Sequence, residues 1–221
     1  MPVSLDWSAI DTVLLDMDGT ILDLHYDNFF WLQYLPGAFA AKNNIDEQES
    51  REILKAKFDS QKGKLNWYCL DYWTRELDLD IVSLKKEIEH KVAFRPKAVD
   101  FLKYLNQIQK RVILATNAHQ QVLEIKLLNT QFHQYFEELV SSHEFGLPKE
   151  EQGFWMCLEE RLGFDKNRTL FIDDSIDVLN SAQEYGIRFL LGIEQPDSQQ
   201  KPRSMKPYGT LSCFSEIMAI E

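Results

Sequence analysis

The sequence predicts an α/β fold: a parallel sheet with helices on both faces, interrupted near its start by a block of helices. Three observations predict it. A short apolar run, Val13-Leu14-Leu15, stands alone near the start of the chain. From Pro96 onward, short apolar runs ending in polar residues alternate with helical patterns, and such alternation gives parallel strands joined by crossover helices. Between about Tyr26 and Phe94 there is little sign of buried strands, and helical spacing takes over.

Composition bounds the reading before any motif does. The chain has 221 residues, 44% of them hydrophobic, enough for one large domain or for a core with a modest insertion. No apolar run approaches the ~18 residues of a membrane-spanning helix. The start, Met1-Pro-Val-Ser-Leu-Asp, lacks the basic-then-apolar form of a secretory signal. A net charge of −11 repels nucleic-acid polymers and anionic membranes. Small anions can still bind where a metal or a local Lys reverses the field. Cys69, Cys157 and Cys213 are odd in number and widely spaced, with no C-x-x-C. That argues against a disulfide framework or a zinc site, and fits a reducing cytoplasm.

In order, the first strand is expected over 12–15. Helices follow over 28–42, broken at Pro36-Gly37, then over 46–61, 66–77 and 84–92. Trp67, Leu70, Trp73 and Leu77 mark one apolar stripe. Arg95-Pro96 marks the return, because Pro disfavours helix in the residue before it. Helix is expected over 97–109, strand over 111–115, helix over 119–128, strand over 138–141 and helix over 151–162 before Gly163. Strand 169–172, helix 175–185 before Gly186, and strand 188–191 complete the alternation. The stretch 195–208 is rich in Pro, Gln, Ser and Lys and reads as a surface loop. Leu211 and 214–220 close the chain.

Ligands of such sheets bind beyond the carboxyl ends of the strands. Three strand ends there are polar. The first carries Asp16 and Asp18, which leave on the same side if the extended geometry persists. Two carboxylates facing one point are tolerable if a divalent cation sits between them or one stays protonated. Gly19 allows a sharp turn. A calcium loop is excluded, since its sixth and twelfth positions here are Ile21 and Asp27. The second end carries Thr116-Asn117 ahead of a helix whose N-terminal amides can hold a phosphate. The third carries Asp173-Asp174, with Asp177 one helical turn on. Each fragment alone reads as a helix cap; their convergence is the signal. Lys149, which follows the short third strand, supplies a cation to the same place.

At these residues the chain resembles the haloacid dehalogenase-like (HAD) phosphohydrolases over nearly its whole length. Asp16-Met-Asp18-Gly-Thr20 is similar to the first motif of that superfamily, Thr116-Asn117 to its second, Lys149 to its third and Asp173-Asp174-Ser175-Ile-Asp177 to its fourth. The resemblance implies a Rossmann-like core over 1–21 and 96–221, with an α-helical cap of the C1 type over 22–95. It implies Asp16 as a nucleophile that forms an aspartyl-phosphate, and Asp18 as general acid and base. Mg²⁺ would be held by Asp16, the carbonyl of Asp18 and Asp174, with Asp173 and Asp177 in support. Thr116, Asn117 and Lys149 would grip the phosphoryl oxygens. Two positions depart from the pattern: Lys149 is followed by Glu150 where Pro is common, and Asp23 by Leu24 where Ser is common. Within the superfamily the chain resembles bacterial GMP/IMP 5′-nucleotidases, through overall similarity and not through a base-reading motif. The implied partner is a small phosphomonoester, a purine mononucleotide.

Other activities use the same core. A sugar-phosphate phosphatase would share every motif. A phosphomutase would differ in how the cap excludes water. A dehalogenase has no need of the acid and base that Asp18 supplies, and a non-catalytic module has no need of the full set. Nine aromatic residues mark the insertion: Tyr26, Phe29, Phe30, Trp31, Tyr34, Trp67, Tyr68, Tyr72 and Trp73. Most are expected to form the core of a small bundle, Trp67 and Trp73 among them. Phe30, Trp31 and Tyr34 follow directly from the first motif and are the candidates for stacking on a base.

Overall fold

The computed structural model describes residues 5–218. The start of the chain before Leu5 and the closing residues 219–221 lie outside them, as do parts of the signal and 214–220 readings. The sheet has six strands, all parallel, in the order β3-β2-β1-β4-β5-β6. They are β1 (Thr12–Leu15), β2 (Arg111–Thr116), β3 (Glu138–Ser141), β4 (Thr169–Asp173), β5 (Phe189–Ile193) and β6 (Gly209–Leu211). β1 is central, paired with β2 through Leu15 and Leu114 and with β4 through Leu15 and Ile172. The chain winds away on one side through β2 and β3, then starts again on the other at β4. The switch of direction falls beside β1, and a crevice opens there at the carboxyl ends of the strands.

The strands read as unbroken apolar runs because both faces are covered. On one face Val13, Leu15, Val112, Leu114, Leu170 and Ile172 pack with Phe101, Leu102, Leu105 and Phe214. On the other, Leu14, Ile113 and Phe171 pack with Phe154, Trp155, Val178 and Leu179.

The helices α1 (His25–Phe29), α2 (Leu35–Asn43), α3 (Glu47–Gln61), α4 (Leu65–Tyr68), α5 (Leu70–Leu77) and α6 (Ile81–Glu87) follow β1. They gather a third core around Tyr26, Phe30, Leu54, Leu70, Trp73 and Ile81. Returning to the sheet, the chain forms α7 (Ala98–Gln107), α8 (Gln120–Thr130), α9 (Gln152–Leu162) and α10 (Ile176–Tyr185). The outgoing and returning connections run side by side. Asp23 N–H donates to Ala93 O (2.9 Å) and Arg95 N–H to Ile21 O (2.9 Å), while the buried Arg95 guanidinium reaches the carbonyls of Thr20, Gln195 and Ser212.

Several expectations need correction. The helix does not break at Pro36-Gly37. A π turn, Phe30–Tyr34, joins α1 to α2, and Pro36 falls in the first turn of α2. The widened turn already interrupts the ordinary hydrogen-bond ladder, so the missing Pro N–H costs little there. The helix expected over 66–77 is two, divided at Cys69, whose extended backbone lets Sγ accept the Tyr72 amide at 3.4 Å. The helix expected over 84–92 begins at Ile81 and ends at Glu87, followed by the single 3-10 turn Glu89–Lys91. The stretch 195–208 is not simply a surface loop. Pro196, Asp197 and Met205 are buried, and the segment returns over the carboxyl ends of the strands.

Candidate active site

At the crevice a cavity of about 280 Å³ is lined by Asp16, Asp18, Thr116, Asn117, Lys149, Asp173 and Asp174. Side chains of the helical insert, including Asp27, Trp31, Trp67, Tyr68 and Lys85, form the rest of its wall. Seven of the eight residues singled out in the sequence therefore meet at one cavity. Asp177 does not; it is exposed on the first turn of α10, outside the lining.

The two acids of the first motif arrive by a turn and not by strand alternation. β1 ends at Leu15, and Asp16 N–H still donates to Ile172 O of β4 (3.0 Å). The Met17 carbonyl then accepts from Ile21 and Leu22 and folds the chain back. Gly19, with φ +83°, makes this possible. A Cβ there would lie 2.8 Å from Asp174 Cγ and 2.8 Å from Pro196 Cβ. Only glycine lets the first motif pass this close beneath the Asp174 carboxylate.

Lys149 is buried with its ammonium inside the acid cluster. It donates to Asp16 Oδ1 (2.6 Å), Asp173 Oδ2 (2.7 Å) and Ala115 O (3.0 Å). Burial alone would lower its pKa, but Asp16 and Asp173 outweigh that and hold it above its ordinary value. All three N–H donors are thus engaged, so contact with a phosphoryl oxygen requires release of one of them. The Thr116 hydroxyl accepts from Ala118 N–H (3.0 Å) and keeps its own proton to donate. Asn117 accepts from Lys149 N–H (2.9 Å) and donates to Glu150 Oε2 (2.9 Å).

The acid cluster suits a hard divalent cation. Carboxylate oxygens of Asp16, Asp173 and Asp174 lie within 4.8 Å of one another. Asp173 is satisfied on both oxygens, by Lys149 and by Ser175 N–H (2.7 Å). Among the described residues, Asp16 Oδ2 is buried with no hydrogen-bond partner. Burial pushes Asp16 up to about 6 against the pull of Lys149, and burial with Asp173 and Asp16 pushes Asp174 well above its ordinary value. An orphaned buried oxygen beside a carboxylate that resists ionisation is the condition a Mg²⁺-like ion relieves. Asp16 and Asp174 would hold it. Asp174 Oδ2 meanwhile pairs with Arg203 (2.8 Å) from the 195–208 segment.

The sequence reading missed a second buried network. Lys126 of α8, 1% exposed, donates to Asp18 Oδ1 and to Asp27 Oδ2 (2.6 Å), and Lys85 of α6 donates to Asp27 Oδ1 (2.8 Å). Burial pushes Asp18 up to about 6, with Lys126 opposing. Asp27 runs the other way, held down at about 2: burial raises it, and Lys126 and Lys85 overcome that. In sequence Lys126 is one charge on a helix, and nothing in its spacing marks it. Glu150 also acquires a place: it accepts from Tyr68 OH (2.6 Å) and from Asn117, tying α4 to the second motif. Asp23, the other departure, accepts from His25 N–H (2.9 Å) and Ser198 N–H (3.1 Å) and starts α1.

The aromatic assignments shift. Phe30 is fully buried against Trp31 and Tyr34, and Tyr34 lies outside the cavity with its hydroxyl on Glu87. Only Trp31 of the three candidates lines the cavity. Trp67, expected in the core, lines it too, and with Trp31 and Phe58 it also walls an annex of about 120 Å³. Trp73 is 1% exposed, as expected of a core residue.

Comparison with known proteins agrees with this geometry. The chain is 39% identical to the GMP/IMP nucleotidase YrfG of Escherichia coli (strain K12) over 218 residues, 99% of this chain and 98% of that one. Among solved structures, an HAD phosphatase from Thermococcus onnurineus superposes with a TM-score of 0.78 at 21% identity, covering 94% of this chain and 95% of that one. A putative β-phosphoglucomutase from Thermotoga maritima does so with a TM-score of 0.68 at 17% identity, covering 95% and 97%. The family model described as haloacid dehalogenase-like hydrolase matches residues 10–186, spanning all the motifs above, and this chain belongs to that family of hydrolases.

Proposed function

We propose that the chain is a Mg²⁺-dependent phosphomonoester phosphatase, a cytoplasmic 5′-nucleotidase acting on purine mononucleotides such as GMP and IMP. The observation that carries the chemistry is the orphaned Oδ2 of Asp16, facing the cavity while Lys149 holds the other oxygen. Asp16 attacks phosphorus in line, and the ester oxygen departs with a proton from Asp18. Asp18 then takes a proton from the water that hydrolyses the acyl-phosphate, which frees Asp16 and inorganic phosphate. Thr116 and Asn117 donate to the phosphoryl oxygens, and Lys149 offsets their charge at close range. Bound at Asp16 and Asp174, Mg²⁺ would neutralise charge spreading over the transferred group. Asp173 keeps Lys149 in place.

The nucleotide reading rests on the 39% identical nucleotidase and on the aromatic wall. Trp31 and Trp67 line both the catalytic cavity and an aromatic annex that Phe58 and Trp73 also wall, and such faces suit stacking on a purine. The paired connections at 21–23 and 93–95 support 22–95 as a cap that carries this wall over a core of 1–21 and 96–221. Cytoplasmic placement rests on three unpaired cysteines.

Two measurements test the reading. Asp16→Asn is expected to stay folded and to form no phosphoenzyme in single turnover with GMP; turnover near the wild-type rate would refute the nucleophile. Trp31→Ala and Trp67→Ala are expected to raise KM for GMP and IMP while sparing small phosphomonoesters, the signature of lost remote binding. Equal effects on both substrate classes would remove base stacking by these two residues.

A further inference from the structure

A second cluster of metal-binding side chains lies at the seam between the helical insert and the sheet. Cys69 stands in the break between α4 and α5, His119 caps α8, and His143 sits in the 3-10 turn Ser142–Glu144 after β3. One ligand atom from each lies within 4.8 Å of the other two. The imidazole rings meet edge to face at 4.9 Å, and Asp71 Oδ2 is 3.6 Å from His119 Nε2. The proposed phosphoryl chemistry uses none of these side chains.

Among the described residues, His143 Nε2 is buried with no hydrogen-bond partner. Among the described residues, Cys69 Sγ makes only the weak contact from Tyr72 N–H. A tetrahedral ion with bonds of about 2.3 Å to sulfur and 2.0–2.1 Å to nitrogen places its donors about 3.3–3.7 Å apart. The donors, now within 4.8 Å of one another, need only small side-chain rotations to reach that spacing.

We propose that Cys69, His119 and His143 form a site for a borderline-soft divalent cation of the Zn²⁺ class that pins the insert to the core, with solvent completing its coordination. Binding takes Cys69 as thiolate, releases its proton to solvent and leaves both imidazoles neutral. The hard oxygen cluster at Asp16 and Asp174 prefers Mg²⁺, so the two sites separate ions by donor type. Cys69 lies between Tyr68 and Leu70, which line the catalytic cavity, as does His119. A metal there holds the cavity wall in place and slows exchange of substrate and product. That inhibitory consequence rests on the phosphatase reading; the binding does not.

Co²⁺ alone, titrated into metal-free protein, tests the binding. The expected result is a thiolate-to-cobalt absorption band at one ion per chain, displaced by Zn²⁺ and lost in Cys69→Ser. No thiolate band, or an unchanged band in Cys69→Ser, overturns the site. With saturating Mg²⁺ and an aryl phosphate, Zn²⁺ is expected to inhibit. Cys69→Ser should raise the half-inhibiting concentration at least as much as loss of an outer partner weakens a metal site, roughly 10–100-fold. Its rate without Zn²⁺ should not change. Inhibition unshifted in Cys69→Ser overturns the inhibitory role and assigns the effect to the carboxylate site. Absence of all phosphatase activity would refute the proposed function and leave the cobalt titration to decide the site.

Discussion

Lys126→Met tests the buried network that the sequence did not announce. Methionine keeps most of the stem's length and removes the charge. Asp27 retains Lys85 at 2.8 Å, but Asp18 loses its partner, for no other hydrogen bond reaches its carboxylate among the described residues. Breaking a buried pair by deleting one member costs about 3–5 kcal/mol, because a carboxylate is left desolvated. For a domain of this size each kcal/mol moves the melting midpoint by about 2–4 °C, so Tm should fall by about 6–20 °C. The assay is thermal unfolding without and with Mg²⁺, paired with a cycle through Asp18→Asn. Removing both charges should recover part of the loss, with non-additivity above about 1 kcal/mol. A fall in Tm below about 2 °C, or strictly additive losses, would refute a buried Lys126–Asp18 pair.

Two further outcomes follow. Excess EDTA should silence turnover and Mg²⁺ restore it, while Asp174→Ala should raise the Mg²⁺ concentration required; activity unaffected by chelation would refute the metal dependence. Burial, then the neighbouring His119, holds the His143 pKa down at about 4 in the folded chain, below the ordinary imidazole value of about 6.5 that it regains unfolded, so the unfolded chain binds more protons and stability is lost as pH falls from 6.5 toward 4. Discounted for its partial exposure, the loss is roughly 1–2 kcal/mol. The Tm of wild type should therefore drop more steeply over that window than that of His143→Gln, and parallel curves would refute the assignment.

What was legible in the sequence, and what was not, follows the range of the interaction concerned. β1, β2 and β4 were readable because burial on both faces makes strands apolar throughout, and the polar residues at their ends then stand out. Asp16, Thr116 and Asp173 could be found by that rule, whereas Lys149, in the loop after β3, was found as the cation that the same place needed. Lys126 could not, since a lysine on a helix gains meaning only from Asp18, 108 positions away, and from Asp27, 99 away. Trp67 was misplaced for a related reason. Its spacing with Leu70, Trp73 and Leu77 assumes one continuous helix, and the break at Cys69 rotates it out of that stripe. Arg203 and Asp197 lay in a stretch whose composition signals only a turn-rich loop, and composition does not say where a loop packs.

The contacts between insert and core around the cavity share one character. Asp27 meets Lys126, Tyr68 meets Glu150, Asn28 meets Asp197 and Asp71 meets His119, each across the seam. Apolar contact crosses it as well, through Val122 and Ala118 in the insert's cluster and Leu22, Val92 and Phe94 against the sheet's core, but around the cavity the polar contacts set the register. This division has an energetic consequence. Opening an apolar seam costs about 25 cal/mol for every Å² exposed, with no return from solvent. Opening a polar seam exchanges each hydrogen bond for one to water, at a net cost of about 0.5–1.5 kcal/mol apiece. Three such hydrogen bonds, with Asp71 3.6 Å from His119, fix one closed register, and only the charged Asp27–Lys126 pair lies at the upper end, about 1.5–3 kcal/mol. Glu150 fits that role. A proline in its place would offer no acceptor to Tyr68 or Asn117, and the seam would lose the contact nearest the phosphate end.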